Sequence, residues 1–431
     1  MEPRHTHGHG EVPLIDRSRP SPAVTWILGL VAGIGLATLV GLVVWWPRGD
    51  VVDTGASLAG LSFPRGVVVE VTPGECVTVE LAVPTDCDLV TVELSTGADA
   101  GARVPVQVAA IDFATPELSV GDHLILQYNP MAPPQYAYTF WEFQRELPLA
   151  MLAVLFVVVV LAFGRWQGLR ALSGLVVTFG IIIWFLLPSL LRDQPAVAVA
   201  VVAASLIAFA TLYLSHGFSL ETTVALVGTM ASLVVIATLA AVFVGLANLT
   251  GLSDSDVQLL RVSAEALDPV GLLLAGTIIG ALGVLDDVTV TQTFAVAELR
   301  AANPAMAARE LYQRGLRVGR EHIAATVNTL VLAYVGASLS LMLFFVQSER
   351  PIGQVLGQEA VGIEIVRMLV GSIGLVAAVP ITTALAVMVS QRGGPSPLTR
   401  AEPATPVDGL DAASDDRPRW DDFAPNDEPR F

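Results

Sequence analysis

The sequence predicts an α-helical polytopic membrane protein of about eight transmembrane helices with a small extracytoplasmic all-β domain. Three observations predict it. The chain is 53% hydrophobic with a mean hydropathy of +0.65, and only 15% of its 431 residues are charged, against about 25% in a soluble domain. Its charge-free runs repeatedly reach the ~18 residues that span a bilayer as helix. One acidic stretch instead carries short β-branched runs separated by turn signals.

The first charge-free segment, 23–46, follows a polar stretch (1–22) with Arg4, Arg17 and Arg19, and ends at Trp45, Trp46 and Arg48. Its apolar run is longer than the ~7–15 residues of a signal-peptide core, and no clear small-x-small cleavage site follows. It reads as an uncleaved signal anchor, with residues 1–22 a disordered cytoplasmic N-terminus. Residues 47–146 form the β-rich domain and hold fourteen acids and four arginines. There, 66–81 (GVVVEVTPGECVTVEL) reads as two strands around a Pro-Gly turn, and further runs lie at 89–94, 104–111 and 123–128. The segment 119–128 reads as a turn feeding a strand. Tyr136, Tyr138, Phe140, Trp141 and Phe143, just ahead of a span, suggest an interfacial aromatic belt.

Seven further spans follow in a membrane domain over 147–390, at about 147–164, 171–191, 196–214, 223–247, 269–286, 323–346 and 366–389. Residues 391–431, rich in Pro, Asp and Ala, bury too little apolar surface to fold alone and read as a disordered cytoplasmic tail. Every basic residue is arginine. With the N-terminus inside, inner loops hold Arg165, Arg170, Arg300, Arg309, Arg314, Arg317 and Arg320. The short outer loops hold Arg192, Arg261 and Arg350, with Arg367 at the outer end of the last span. That bias puts both termini in the cytoplasm, the protein in the plasma membrane, and residues 47–146 outside. The only two cysteines, Cys76 and Cys87, then lie where a disulfide can form, worth ~3 kcal/mol at most for so short a loop; the alternative is two buried thiols.

The composition excludes several classes. A net charge of −17 without a basic cluster argues against nucleic-acid binding. No P-loop, G-x-S-x-G, H-E-x-x-H or Rossmann fingerprint occurs, so neither an enzyme nor an ATP-driven pump is expected and no cofactor is implied. His5, His7 and His9 alternate, yet no carboxylate or cysteine completes a metal set nearby, and no metal site is expected.

Polar chemistry concentrates in the sixth and seventh spans. Only seventeen residues separate Asp268 from Asp286, and ten charge-free residues follow Asp287. If one helix runs through, Asp286, Thr289 and Thr293 share a stripe, with Asp287 and Thr291 on the next and Gln292 nearby. Carboxylates at or within a membrane are costly and usually functional; these would bind a cation or relay a proton, or else cap the helix at the inner interface. The seventh span brings Arg320, Glu321, Asn328 and Thr329. Asp287 is expected to face the bundle interior and meet Arg320 or Asn328, with Asp286 pointing about 100° away. Small residues four apart, Gly29/Gly33, Gly276/Gly280 and Gly315/Gly319, suit close helix packing.

These residues also carry a family resemblance. IIGALG at 278–283, Asp287-Val288, Asn303-Pro304, Gly315, Gly319-Arg320, Ala325-Thr326 and NTLVLAY at 328–334 occur in order and at similar spacing. The chain resembles the YibE/F family of bacterial multi-pass membrane proteins over about 60–390, most strongly at 276–336. It departs at Asp286, where a neutral residue is common, and at Glu321, where an aspartate is usual. The resemblance implies a fold pattern and a membrane location but no substrate. The functional expectation is a transporter or permease-like protein for an unknown small solute or ion. The alternative is a non-transporting envelope protein whose β domain binds a protein partner. The sequence specifies neither solute, energy source nor oligomeric state.

Overall fold

The computed structural model describes residues 22–48, 60–77, 84–109, 117–192, 194–253, 257–258, 260, 267–347 and 351–390. The expectations for 1–21 and 391–431 fall outside them.

The acidic domain is a five-stranded antiparallel sheet: β1 (Arg65–Val77), β2 (Pro84–Leu94), β3 (Arg103–Ala109), β4 (His123–Tyr128) and β5 (Tyr138–Phe143), in spatial order β3-β2-β1-β4-β5. Alternation builds its core: Val90, Val92 and Leu94 from β2, Val104, Val106 and Val108 from β3, and Leu124 and Leu126 from β4 point to one buried face. The sheet curls until β3 approaches β5, and the Tyr138 hydroxyl donates to Asp99 Oδ2 at 2.6 Å. Burial, then the Asp99 carboxylate, hold that hydroxyl above the ordinary tyrosine range.

One sequence expectation fails here. Pro73 and Gly74 do not turn the chain; they lie inside β1, opposite Asp88 and Cys87 of β2. Proline is tolerated because β4 pairs only with Arg65, Gly66 and Val67, leaving this part of β1 an edge on that side. The aromatic segment forms β5: Tyr138, Phe140 and Phe143, partly buried, pack against the sheet's core, while Trp141 is exposed against Phe63, ring centroids 5.3 Å apart. Cys76 stands opposite Thr85, one diagonal step from Cys87; the Cys76 side chain lies outside the described residues.

The rest is helical: α1 (Pro22–Val44), α2 (Glu146–Ile181), a π-helical turn (Ile182–Leu186), α3 (Leu187–Leu190), α4 (Ala196–His216), α5 (Leu220–Leu246), α6 (Pro269–Ala302), α7 (Ala308–Ala337), α8 (Leu339–Gln347), α9 (Ile352–Leu356) and α10 (Glu359–Ser390). Among the described residues six helices are long and apolar enough to cross a membrane, or seven if the α7–α8 pair, bent by 60°, counts as one. The expected eight differ at α2. The stretch from Glu146 to Leu190 forms 45 residues of nearly unbroken helix, but at Arg165 the backbone leaves helical geometry (φ 47, ψ −126). A Cβ on Gly168 would run into the Val160 carbonyl. Residues eight apart on a straight helix are ~12 Å apart, so the chain turns back on itself there. The π-helical turn precedes Pro188, whose missing N–H cannot close the normal ladder.

α5, α6 and α10 pack against one another, with α4 against α6 and α7 against α6 and α10. Directions follow from contacts. Ala196 lies beside Gly271 and Thr211 bonds Asp286, so α4 and α6 run parallel. Gly374 meets Ile236 and Gly228 meets Thr382, so α10 runs antiparallel to α5. Asp268 caps α6 by accepting from Val270 N at 3.1 Å, with Pro269 in the first turn. Ser219 caps α5 by accepting from Thr222 N at 3.0 Å. Glu359 Oε1 accepts from Thr250 N (2.6 Å) and Gly251 N (2.7 Å), tying the end of α5 to α10. The sheet joins the bundle over two residues after β5, braced by Arg65–Glu146 at 2.9 Å.

Candidate functional site

α6 runs unbroken past both aspartates to Ala302, so the stripe inferred for Asp286, Thr289 and Thr293 exists. It faces α4 and α5. Asp286 Oδ2 accepts from Thr211 Oγ1 of α4 at 2.9 Å; Asp286 Oδ1 is buried and makes no hydrogen bond of good geometry, although the Thr229 hydroxyl of α5, bonded to Thr289, lies close enough to interact with the carboxylate. Thr289 is fully buried and shares a hydrogen bond with Thr229 of α5 at 2.7 Å. Thr293 is also buried and closes on its own helix, donating to Thr289 O at 2.8 Å.

A second polar contact lies one helix face round. Gln292, 3% exposed, donates from Nε2 to Gly315 O of α7 (2.8 Å) and to Thr383 Oγ1 of α10 (2.6 Å). The Thr383 hydroxyl is satisfied on both sides, since it donates in turn to Val379 O. Gly319 is required beside it: a Cβ there would strike Val379 Cγ1 and come within 2.7 Å of Gln292 Oε1. Thr382 Oγ1 is buried without a partner and sits against Gly228. Threonines and one glutamine thus link α4, α5, α6, α7 and α10 around Asp286.

The Thr211 proton has more acceptors than it can serve. Its hydroxyl carries one hydrogen, yet Ile207 O (2.9 Å) and Asp286 Oδ2 (2.9 Å) both lie in reach. Either Thr211 donates to the carboxylate, or the carboxyl group carries its own proton and donates to Thr211. The two arrangements differ by one proton at Asp286 and share one heavy-atom geometry.

The remaining predicted residues sit elsewhere. The Asp287 side chain is 72% exposed, and its neighbour is His322 Nε2 at 3.8 Å, beyond hydrogen-bond length. Among the described residues no hydrogen bond or ion pair joins it to Arg320 or Asn328, so the expected interior contact of Asp287 is corrected. Thr291, Arg320, Glu321, Asn328 and Thr329 are exposed, and Thr329 donates only to Ala325 O of its own helix. The physical reason is the helical step of about 100° between neighbours, which turns Asp286 onto Thr211 of α4 and leaves Asp287 on the adjacent, exposed face, within electrostatic range of His216. No group of three or more His, Cys, Asp or Glu fit for a metal ion occurs among the described residues.

Sequence reasoning missed Thr211, Thr229, Thr382 and Thr383. Single hydroxyls in apolar runs are ordinary, but the Thr-Thr pair two residues after Pro380, inside a span, was a usable signal.

The family model for YibE/F-like proteins matches residues 152–392, more than half of the chain. The chain belongs to the YibE/F-like family. The match covers the whole helical bundle from early in α2 and stops short of the β-sheet, so in this YibE/F-like protein Asp286, Gln292 and their partners all lie inside the shared region. No match was found among curated proteins. None was found among solved structures.

Proposed function

We propose that this YibE/F-like protein is a multi-pass plasma-membrane transporter or permease-like protein that moves a small solute or ion through the helical bundle. Asp286 is its proton- or cation-binding carboxyl group. The observation that carries the reading is the buried, under-partnered Oδ1 of Asp286 among the threonines of α4, α5 and α6. A charged carboxylate there lacks the partners that burial demands. A bound proton or monovalent cation supplies one, and exchange of that ion is what couples a carrier to a gradient. No catalytic step is assigned.

In this reading Arg165 marks a tight turn between two spans, 147–164 and 171–191, and the bent α7–α8 pair crosses once. That gives eight crossings with both termini in the cytoplasm and the sheet outside. Cys76 and Cys87 pair in that outer domain; alkylation before reduction should leave both unlabelled, and labelling of both thiols would refute the pairing. The exposed Phe63–Trp141 pair favours a second reading, in which the sheet binds an envelope protein.

The transport test uses proteoliposomes loaded with a pH dye and challenged with Na+, K+, small organic acids and amino acids. The wild type should change the lumenal pH with at least one challenge. Asp286→Asn should abolish the change at equal reconstituted protein, and Asp287→Asn should keep it. A silent wild type across the panel, or an unimpaired Asp286→Asn, would overturn the reading.

A further inference from the structure

A second polar feature lies at the other end of the bundle, where the sheet is attached. A cavity of about 580 Å³ opens between Gly251 and Ser253 after α5, the start of α6, the α7–α8 junction and the start of α10. Its volume falls in the range of small-molecule sites. Glu364 and Arg367 of α10 line it, paired Oε1 to Nη1 at 2.8 Å and each 27% exposed. Leu272 and Ile363 supply apolar wall.

The arginine is only partly used. Its Nε is buried with no hydrogen-bond partner. Its Nη2 lies 3.9 Å from the point where a Cβ on Gly276 would stand, so no α6 side chain intervenes. A guanidinium presents five N–H donors in a fixed fork, and a buried donor left unmet is destabilising. Glu364 in turn keeps Oε2 free of any hydrogen bond among the described residues.

We propose that this cavity binds a small zwitterion of amino-acid type. The carboxylate of the ligand accepts from Arg367 Nη2, its ammonium donates to Glu364, and an aliphatic side chain lies on Leu272 and Ile363. The paired opposite charges carry this choice. A simple anion would leave Glu364 facing it as a like charge, and a simple cation would do the same at Arg367. The polar groups are few and convergent on an otherwise half-apolar wall, which is how small sites obtain orientation. This deepens the transport reading by naming the solute class. Binding is measured without transport, so either can fail alone.

The test uses the full chain in lipid nanodiscs with leucine as probe, read by calorimetry and by thermal unfolding. Isocaproate, which lacks the amine, and isoamylamine, which lacks the carboxylate, serve as comparisons. Leucine should bind saturably and raise the unfolding temperature, and each comparison compound should bind at least tenfold more weakly. Arg367→Gln and Glu364→Gln should each weaken leucine at least tenfold. Gly276→Val, which fills the cavity from a helix position where a Cβ would meet only Arg367 Nη2, at 3.9 Å, should abolish binding while the protein still unfolds cooperatively. That variant decides the matter if the charge variants misfold. Absence of saturable leucine binding by the wild type, isocaproate binding as tightly as leucine, or leucine binding unchanged in Gly276→Val would each overturn the proposal.

Discussion

Two faces of α6 carry similar residues into opposite surroundings. On one, Asp286, Thr289 and Thr293 are locked against α4 and α5. On the other, Gly276, Gly280, Gly283 and Asp287 form a strip with little in front of it. Nothing lies within 4 Å of a Cβ on Gly283, Tyr334 Oη lies 3.3 Å from one on Gly280, and Asp287 is 72% exposed. The difference teaches what decides the role of an intramembrane carboxylate. Asp286 and Asp287 are adjacent and chemically identical, yet only the packing of neighbouring helices gives one of them a buried, under-partnered oxygen. A polar group so enclosed is costly unless its environment completes it.

The comparison can be broken by substitution, beginning with glycines. Gly319→Val places branched atoms against Val379 and Gln292, where the helices already touch. Overpacking of that kind costs about 1–3 kcal/mol, and thermal unfolding in detergent should show a lower transition and less folded protein. Gly283→Val, on the open strip, should leave the transition nearly unchanged. Equal effects would mean that the two faces do not differ in packing.

A smaller effect is expected from Gln292→Leu. It keeps the volume and removes two hydrogen bonds between helices. Such bonds average about 0.6 kcal/mol each, so a loss of about 1–2 kcal/mol is expected in a denaturant titration. A neutral result would assign that contact to packing alone.

The smallest effect belongs to Asp287→Asn. Its exposed side chain has His322 at 3.8 Å and His216 within electrostatic range, and exposed substitutions fall within about ±0.5 kcal/mol. Stability should be nearly unchanged. A clear loss would show that Asp287 and His322 form a real pair.

The sequence made the bundle legible because length and absence of charge are enough to locate long apolar helices. It located α4 and α5 well and the start of α6, whereas the expected end of α6 at 286 falls sixteen residues short of Ala302. It misread residues whose role depends on a third element. Pro73-Gly74 has the composition of a turn but is held straight by β2. The packing of the β5 aromatics against the sheet's core depends on its curl onto β3 and is not visible in their spacing. The Asp286 stripe was readable from helical spacing, whereas its partner Thr211, seventy-five residues away, depends on α4 and α6 running parallel. For the same reason Asp287 was assigned the interior: spacing separates the two faces of a helix without saying which of them is covered.

The most direct test of Asp286 as the ion-binding carboxyl group is chemical. Dicyclohexylcarbodiimide is an apolar reagent that modifies protonated carboxyl groups within membranes. The full-length protein in bilayers would be treated at several pH values and digested, and the modified residue located by mass spectrometry. The account predicts modification at Asp286, suppressed at high pH or by a competing cation, and none at Asp287. Modification of Asp287 instead, or an Asp286 that stays unreactive at every pH, would contradict it.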